Sequence, residues 1–115
     1  MTEKSRAMFI AAAMLAVAMP LFPQAAVVVQ ISGVVSDPQG LAILGAEVKA
    51  IQTDMGFVRT ASTGADGRYV LSNLPVGPYR LEATSSGFKT YVQRGVVLQV
   101  NTNPTLNIVL EVGAV

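Results

Sequence analysis

Two turn signals between Gly64 and Ala83 restrict the fold of this chain more than any other feature of its sequence. The segment reads GADGRYVLSNLPVGPYRLEA. Asp66-Gly67 is typical of a tight turn, because Gly adopts positive φ freely and Asp tolerates it better than most residues. Leu74-Pro75-Val76-Gly77 predicts a second reversal, with Pro at the second and Gly at the fourth position of a type I turn. Two turns this close together leave room only for short strands.

Apolar residues alternate with polar ones after each of the two turns. Tyr69 and Leu71 share one face of a period-two pattern. Tyr79, Leu81 and Ala83 do the same after the second turn. Two such strands in succession predict an antiparallel sheet with one buried and one solvated face. We therefore expect the aromatic face of both strands in the hydrophobic core.

The longer stretch DGRYVLSNLPVGPYRLEATSSGFK resembles the signature of carboxypeptidase regulatory-like domains. The resemblance extends over residues 30–111 and includes ISGVVSDPQG, GAEVKA, VVLQV and LNIVLEV. Leu44, Gly64 and Pro78 depart from residues common in the family, which affects turn geometry and removes no core residue. The resemblance implies a β-sandwich of the transthyretin-like, carbohydrate-binding-like type. Such modules often lie at the N-terminus of TonB-dependent outer-membrane receptors or on zinc carboxypeptidases.

Five further extended segments accompany this pair of strands. They are expected at residues 27–36, 46–51, 57–63, 89–100 and 106–111. Turn residues separate the strands at intervals of about 8–12 residues, a spacing typical of sandwiches. The sequence therefore predicts an all-β fold, a seven-stranded Greek-key β-sandwich that follows an N-terminal signal helix.

Residues 1–26 have the pattern of a signal peptide. Lys4 and Arg6 precede an unbroken apolar run over residues 7–19. A membrane-spanning helix needs about 20 apolar residues, so this run is too short to cross comfortably. We expect cleavage at the end of this segment, a sandwich domain over residues 27–115, and export to the periplasm or the cell outer membrane. An uncleaved N-terminal anchor is the alternative.

The chain contains no Cys and no His, which excludes several kinds of chemistry. Without Cys there is no disulfide framework, no thiolate metal site and no lipid-anchoring Cys. Without His the chain lacks the usual general base and a common zinc ligand. The formal net charge of +1 gives no reason to expect nucleic acid as a partner. We expect no cofactor.

The carboxylates form no recognisable catalytic or metal-binding pattern. Asp66 is placed like a calcium ligand, but Ca²⁺ takes about six to eight oxygens, and the adjacent Gly64-Ala65 offer none from side chains. We expect Asp66 to bond its own backbone in the turn. The other candidates are expected on solvated strand faces or in loops, and they are Glu47, Asp54, Glu82 and Glu111. We therefore predict no catalytic, cofactor-binding or metal-binding residue and no enzymatic activity.

The aromatic residues divide into two groups. Tyr69, Tyr79 and Phe88 could form a sugar-stacking platform, but the two tyrosines are in register with apolar neighbours, and Phe88 corresponds to a core anchor in the resembling family. These three are expected in the core. Phe57 and Tyr91 lie outside those patterns and are the candidates for ligand-facing aromatics. Two scattered aromatics are also common on protein surfaces without any ligand.

The chemistry and the resemblance together predict a non-catalytic, exported accessory or interaction module. The resemblance implies the N-terminal domain of a TonB-dependent outer-membrane receptor, whose other domains or a protein partner would contact it. One alternative is a carbohydrate-binding module, which an exposed aromatic pair on one face would favour. Another is the regulatory appendage of a zinc carboxypeptidase, with its catalytic residues outside this chain. No transmembrane span is expected in the mature domain.

Overall fold

The computed structural model describes residues 27–113, which form seven β-strands in two sheets. The strands are β1 (Val28–Ser36), β2 (Glu47–Gln52), β3 (Val58–Ser62), β4 (Arg68–Pro75), β5 (Gly77–Thr84), β6 (Tyr91–Leu98) and β7 (Ile108–Val109). Within this range no helix is long and apolar enough to cross a membrane. The predicted signal peptide, residues 1–26, lies outside the described residues.

The two sheets pack face to face as a sandwich. One sheet has the order β4-β1-β7, with β1 antiparallel to β4 and parallel to β7. The other has the order β3-β2-β5-β6 and is antiparallel throughout. The chain changes sheet after β1, β3, β4 and β6, so strands that are consecutive in sequence are repeatedly separated. The predicted all-β, seven-stranded Greek-key sandwich is confirmed.

The core lies between the sheets and consists of the inward residues that the period-two patterns predicted. In β1 the pattern buries alternate side chains, and the same alternation runs through β2 and β5. It also runs through β4 as far as Leu71, after which Ser72 and Asn73 are both exposed and Leu74 is buried. The largest side chains that are almost fully buried are Tyr69, Tyr79, Ile31, Leu71, Leu74, Leu81, Leu98, Ile108 and Leu110. Burial of aromatic and branched apolar side chains supplies most of the stabilisation in a domain of this size.

The prediction that β4 and β5 form one antiparallel pair is wrong. β4 pairs with β1, whereas β5 pairs with β2 and β6, so the two aromatic-led strands lie in different sheets. Their apolar faces meet across the core instead of lying side by side. The segment Pro75–Gly77 is therefore a corner between sheets and not a turn within one sheet. Gly77 has a φ of 135°, a conformation that favours glycine.

Side chains hold this corner in place. The Tyr79 hydroxyl donates a hydrogen bond to the carbonyl oxygen of Pro75 at 2.7 Å. Gln52 Nε2 donates another to the carbonyl oxygen of Val76 at 2.9 Å. Both bonds satisfy backbone acceptors that strand pairing cannot reach where the chain leaves one sheet for the other.

The last strand is shorter than expected, because asparagine side chains replace part of its backbone pairing. The predicted strand over residues 106–111 is reduced to Ile108–Val109. Before it, Asn103 Oδ1 accepts a hydrogen bond from Gln30 N at 3.1 Å, and Asn107 Oδ1 accepts one from Val34 N at 3.0 Å. The chain thus follows β1 through a ladder that mixes backbone and side-chain acceptors.

Candidate functional site

The two long sides of the sandwich, where one sheet edge faces the other, differ in how well they are closed. On the first side, β3 faces β4, and Arg59 of β3 reaches across. Its Nη2 donates a long hydrogen bond of 3.4 Å to the carbonyl oxygen of Asn73. Its guanidinium lies 5.1 Å from the centroid of the Phe57 ring, within range of a cation–π contact. These contacts close the first side, and we call it the closed seam.

On the second side, β6 faces β7 and the two edges separate. Within residues 27–113 they are joined at one end, where Lys89 N donates to the carbonyl oxygen of Glu111 at 2.7 Å and Phe88 bridges to Val112. Past this junction a cleft of about 260 Å³ opens between the sheets. Its walls are formed by Lys89, Thr90, Tyr91, Val92, Val109 and Glu111. We call this side the open seam.

The structure places the two candidate ligand-facing aromatics far apart. Tyr91 lines the cleft of the open seam, and its hydroxyl donates to Gln93 Oε1 at 2.9 Å. Phe57 lies beside the closed seam under Arg59. With strands about 4.8 Å apart and about 3.3 Å of rise per residue, the two positions are roughly 20 Å from each other. Both side chains are half-buried and pack against the core. Ligand contact by either residue stays a prediction, and they do not form a pair.

The two core tyrosines are committed to internal hydrogen bonds. Tyr69 and Tyr79 are almost fully buried, as predicted, and Phe88 is half-buried against the same core. The Tyr69 hydroxyl donates to the carbonyl oxygen of Leu106 at 2.5 Å. Burial raises the pKa of both tyrosines above the ordinary value, so each stays a neutral donor. Neither ring is available for stacking on a sugar.

Gln52 is a buried polar residue that the sequence interpretation did not single out. Only 3% of it is exposed, and its Oε1 has no hydrogen-bond partner within residues 27–113. The signal was present in the sequence, because the alternation that buries Val48 and Ala50 places Gln52 inward at the next step. Its amide serves the corner at Val76, which makes it a structural residue.

The carboxylates are dispersed over the surface. Glu47, Asp54 and Glu111 are exposed, and Glu82 is held by Arg80 Nε at 2.8 Å. Across residues 27–113 no three His, Cys, Asp or Glu side chains converge in a way that could hold a metal ion. The turn role predicted for Asp66 is confirmed, since its Oδ1 accepts a hydrogen bond from Arg68 N at 3.1 Å.

Solved structures with the same architecture come from proteins of very different activity. The Bacillus anthracis TIE protein aligns with a TM-score of 0.62 at 18% identity, over 75% of this chain and 17% of that one. Hydroxyquinol 1,2-dioxygenase from Pseudomonas putida DLL-E4 aligns with a TM-score of 0.61 at 11% identity, over 78% and 58%. A cohesin–X-dockerin complex from Acetivibrio cellulolyticus aligns with a TM-score of 0.61 at 17% identity, over 73% and 58%. At these identities the likeness shows the fold alone.

This chain spans between 17% and 58% of the length of those three structures, so it corresponds to one part of each. No curated protein matches the sequence significantly. A protein family does match, and it covers most of the chain, from residue 30 to residue 111. Those bounds enclose all but the first two residues of β1 and continue past β7. The chain belongs to the carboxypeptidase regulatory-like domain family.

Proposed function

We propose that this protein is an exported, non-catalytic interaction module that docks or spaces the domains of a larger receptor. The observation that carries the proposal is the family match over residues 30–111, which covers six strands completely and β1 except for its first two residues. The family is a regulatory-like module. In this chain the core is formed by apolar and tyrosine side chains, which pack against one another and supply no catalytic group. The open seam adds a sheet edge that another chain can contact.

The chemistry of the described residues supports a role without catalysis. General acid–base catalysis uses a positioned side chain, most often His, that burial and neighbouring groups tune for proton transfer. The cleft of the open seam holds Glu111 and Lys89, both exposed, and neither has a neighbouring His or Cys because the chain contains none. The dioxygenases that share the fold give no reason to assign their reaction, since the likeness to them is distant.

For the receptor context, we propose the N-terminal domain of a TonB-dependent outer-membrane receptor, with the periplasm as its compartment. The support is the resemblance of the signature around Asp66-Gly67 and the leader pattern of residues 1–26. An antibody against residues 27–113 tests this in fractionated cells of the source organism. A band in the outer membrane far larger than 115 residues is the expected result. A band of 115 residues or fewer, with no larger species, would contradict the receptor context.

Mass spectrometry of the same fraction tests export. We expect a new N-terminus between Gln24 and Val29, because the apolar run of residues 7–19 is short and prolines follow it. Intact Met1 recovered with the membrane would show that the leader acts as an anchor instead.

The alternative function is carbohydrate binding, and one observation favours it. Tyr91 lines an open cleft of about 260 Å³, and a half-buried aromatic in a cleft is a common feature of ligand sites. Against it, Phe57 lies at the opposite seam, so the two aromatics cannot stack on one sugar chain. As the appendage of a zinc carboxypeptidase, the same module would be attached to an enzyme domain instead of a receptor. The antibody experiment distinguishes these two contexts by the compartment in which the larger polypeptide is found.

A further inference from the structure

We infer that the free edge of β6 is a docking site for an extended, acidic segment of another polypeptide, which adds to the four-stranded sheet as a fifth strand. The inference rests on the proposed interaction function and names the surface that would perform it. β6 is the last strand of its sheet and is eight residues long. Addition of a strand to a free edge supplies main-chain hydrogen bonds regardless of the partner's side chains.

The register of the sheet shows which backbone groups of β6 point outward. The carbonyl oxygen of Pro78 accepts a hydrogen bond from Thr53 N at 3.0 Å, so Pro78 faces the β2 side of β5. Because backbone groups alternate along a strand, Tyr79 faces β6, where it pairs with Val96. The N–H and C=O of Val97 therefore point away from the sheet.

The same alternation applies at the other end of β6. Ala83 and Leu81 face β6 and pair with Tyr91 and Gln93, which leaves the backbone groups of Val92 directed outward. The side chains of these outward positions are also accessible: Val92 is 43% exposed and Val97 is 60% exposed. Among the described residues 27–113, nothing pairs with the outward backbone groups of these two apolar positions of β6, which lie one on each side of the bulge at Gly95.

The other sheet edges are less suited to accept a strand. β7 has only two residues. β3 has five, and it carries the inward-pointing charge of Arg59, a device that discourages edge pairing. β4 is long enough, but the carbonyl oxygen of Asn73 is already bonded to Arg59 across the closed seam. Of the sheet edges formed by residues 27–113, only β6 combines length, free backbone groups and an adjacent open cleft.

The charges around β6 specify an acidic occupant. Residues 89–100 contain Lys89 and Arg94 and no Asp or Glu. Glu82, which lies opposite Val92 in the register, is paired with Arg80, and Glu111 lines the cleft together with Lys89. Within residues 27–113 no carboxylate is in ion-pair contact with Arg94. A carboxylate opposite Arg94 would be favourable, and flanking β-branched residues would lie beside Val92 and Val97.

The same charges argue against a second copy of this chain as the occupant. If two copies paired antiparallel about the bulge, their Arg94 side chains would be adjacent, and like charges directly opposite are destabilising.

A defined peptide tests the inference on the full chain. The probe is a synthetic ten-residue peptide that alternates Val and Thr and carries one central Glu, and the readout is amide hydrogen exchange by NMR. At a peptide concentration ten times its Kd, exchange at Val92 and Val97 should slow about tenfold, while the amides of β3 should not change. The control is the same peptide with alternate backbone nitrogens methylated, which should give no slowing.

Two sets of variants make the test specific. Val97→Pro removes an outward N–H without touching the pairing with β5, so it should abolish peptide binding, whereas Val97→Thr should bind like the parent. If Val97→Pro does not fold, Arg94→Glu serves instead. It should weaken binding by up to about fivefold, and a peptide with Lys in place of Glu should restore it.

Three results would overturn the inference. They are unchanged exchange at Val92 and Val97 with millimolar peptide, equal slowing by the methylated control, and slowing that depends only on the concentration of the chain itself. The last would show self-pairing at β6. None of these results depends on the compartment or the size of the parent polypeptide. The proposed function is tested separately, by the antibody and mass-spectrometry experiments.

Discussion

The Tyr69 hydroxyl donates a hydrogen bond to the carbonyl oxygen of Leu106 at 2.5 Å, and this contact ties β4 to the segment that leads into β7. β1 runs between these two elements, and Gly33 of β1 lies directly beneath the same oxygen. A Cβ at position 33 would overlap the Leu106 carbonyl. The glycine therefore makes room for the bond that the tyrosine forms, and the three residues act as one unit of the core.

Removal of the Tyr69 ring should be strongly destabilising. Tyr69→Ala should lower the free energy of unfolding by about 3–5 kcal/mol, the range for deletion of a buried aromatic. Tyr69→Phe keeps the ring and should cost only about 0.5–1.5 kcal/mol, because it loses one hydrogen bond. Denaturant unfolding monitored by circular dichroism measures both. Equal midpoints for Tyr69→Ala and the parent chain would show that the inward face has been assigned wrongly.

Substitution of Gly77, at the corner between the sheets, should lower the free energy of unfolding for two separate reasons. The φ of 135° disfavours any side chain, and a Cβ there would lie 2.7 Å from Gln52 Nε2. Gly77→Val should therefore destabilise by more than about 1 kcal/mol. Gly87→Val is the matched control, since φ is 84° there and a Cβ would meet nothing within 4 Å.

The contact part of this cost can be isolated by a double-mutant cycle. If Gln52 is the obstacle, Gly77→Ala should cost less in a Gln52→Ala background than in the parent chain. Strictly additive effects would mean that the strain lies in the backbone alone.

The asparagine ladder beside β1 should contribute measurably to stability. Asn107→Ala leaves the N–H of Val34 without its acceptor, at an expected cost of about 1 kcal/mol. Asn107→Asp keeps a side-chain oxygen at the same place and should preserve protection of that amide. Native-state hydrogen exchange at Val34 reports the difference directly. Exchange at Val34 that is equally slow in the alanine variant would show that another group takes over.

Stability should fall at alkaline pH because of the buried tyrosines. Burial holds the pKa of Tyr69 and Tyr79 above the ordinary value of about 10. Above about pH 10 the unfolded chain releases these protons while the folded chain retains them, so the unfolded state binds fewer protons and stability decreases as pH rises. The stabilisation is complete below that pH and is lost as pH rises through the folded pKa.

A pH series of urea midpoints measures this effect. The slope above about pH 10 should be shallower in the Tyr69→Phe variant than in the parent chain. An identical slope in both would mean that Tyr69 ionises equally easily in the folded and unfolded states.

The sequence predicts the strands and their inward residues well, but it leaves open how the strands are arranged. The period-two patterns place Tyr69 and Leu71 on one face and Tyr79 and Leu81 on another, and they require only that both faces be buried. Two strands that face each other from different sheets satisfy this requirement as well as two neighbouring strands of one sheet. The sequence therefore predicts a turn within one sheet at Gly77, where the structure has a corner between two sheets. Burial of Gln52 follows from the same alternation, but its partner at Val76 does not.

The candidate site is harder to predict than the core, because it depends on where strands end. Tyr91 lines a cleft only because β7 stops at Val109 and the chain then crosses to Phe88. β7 also starts late, because the side-chain acceptors of Asn103 and Asn107 replace backbone pairing before Ile108, and no period-two pattern reveals this. The separation of Phe57 from Tyr91 likewise follows from strand order and not from residue type.

Titration calorimetry against periplasmic and cell-wall sugars is the most direct test of whether this domain is an interaction module or a carbohydrate-binding one. The full chain should give no saturable heat with any of these sugars at millimolar concentration, because the two candidate aromatics lie at opposite seams and the other aromatics of residues 27–113, Tyr69, Tyr79 and Phe88, are packed in or against the core. Phe57→Ala and Tyr91→Ala variants with unchanged circular dichroism serve as the comparison. A saturable affinity in the micromolar range that either substitution abolishes would contradict the account.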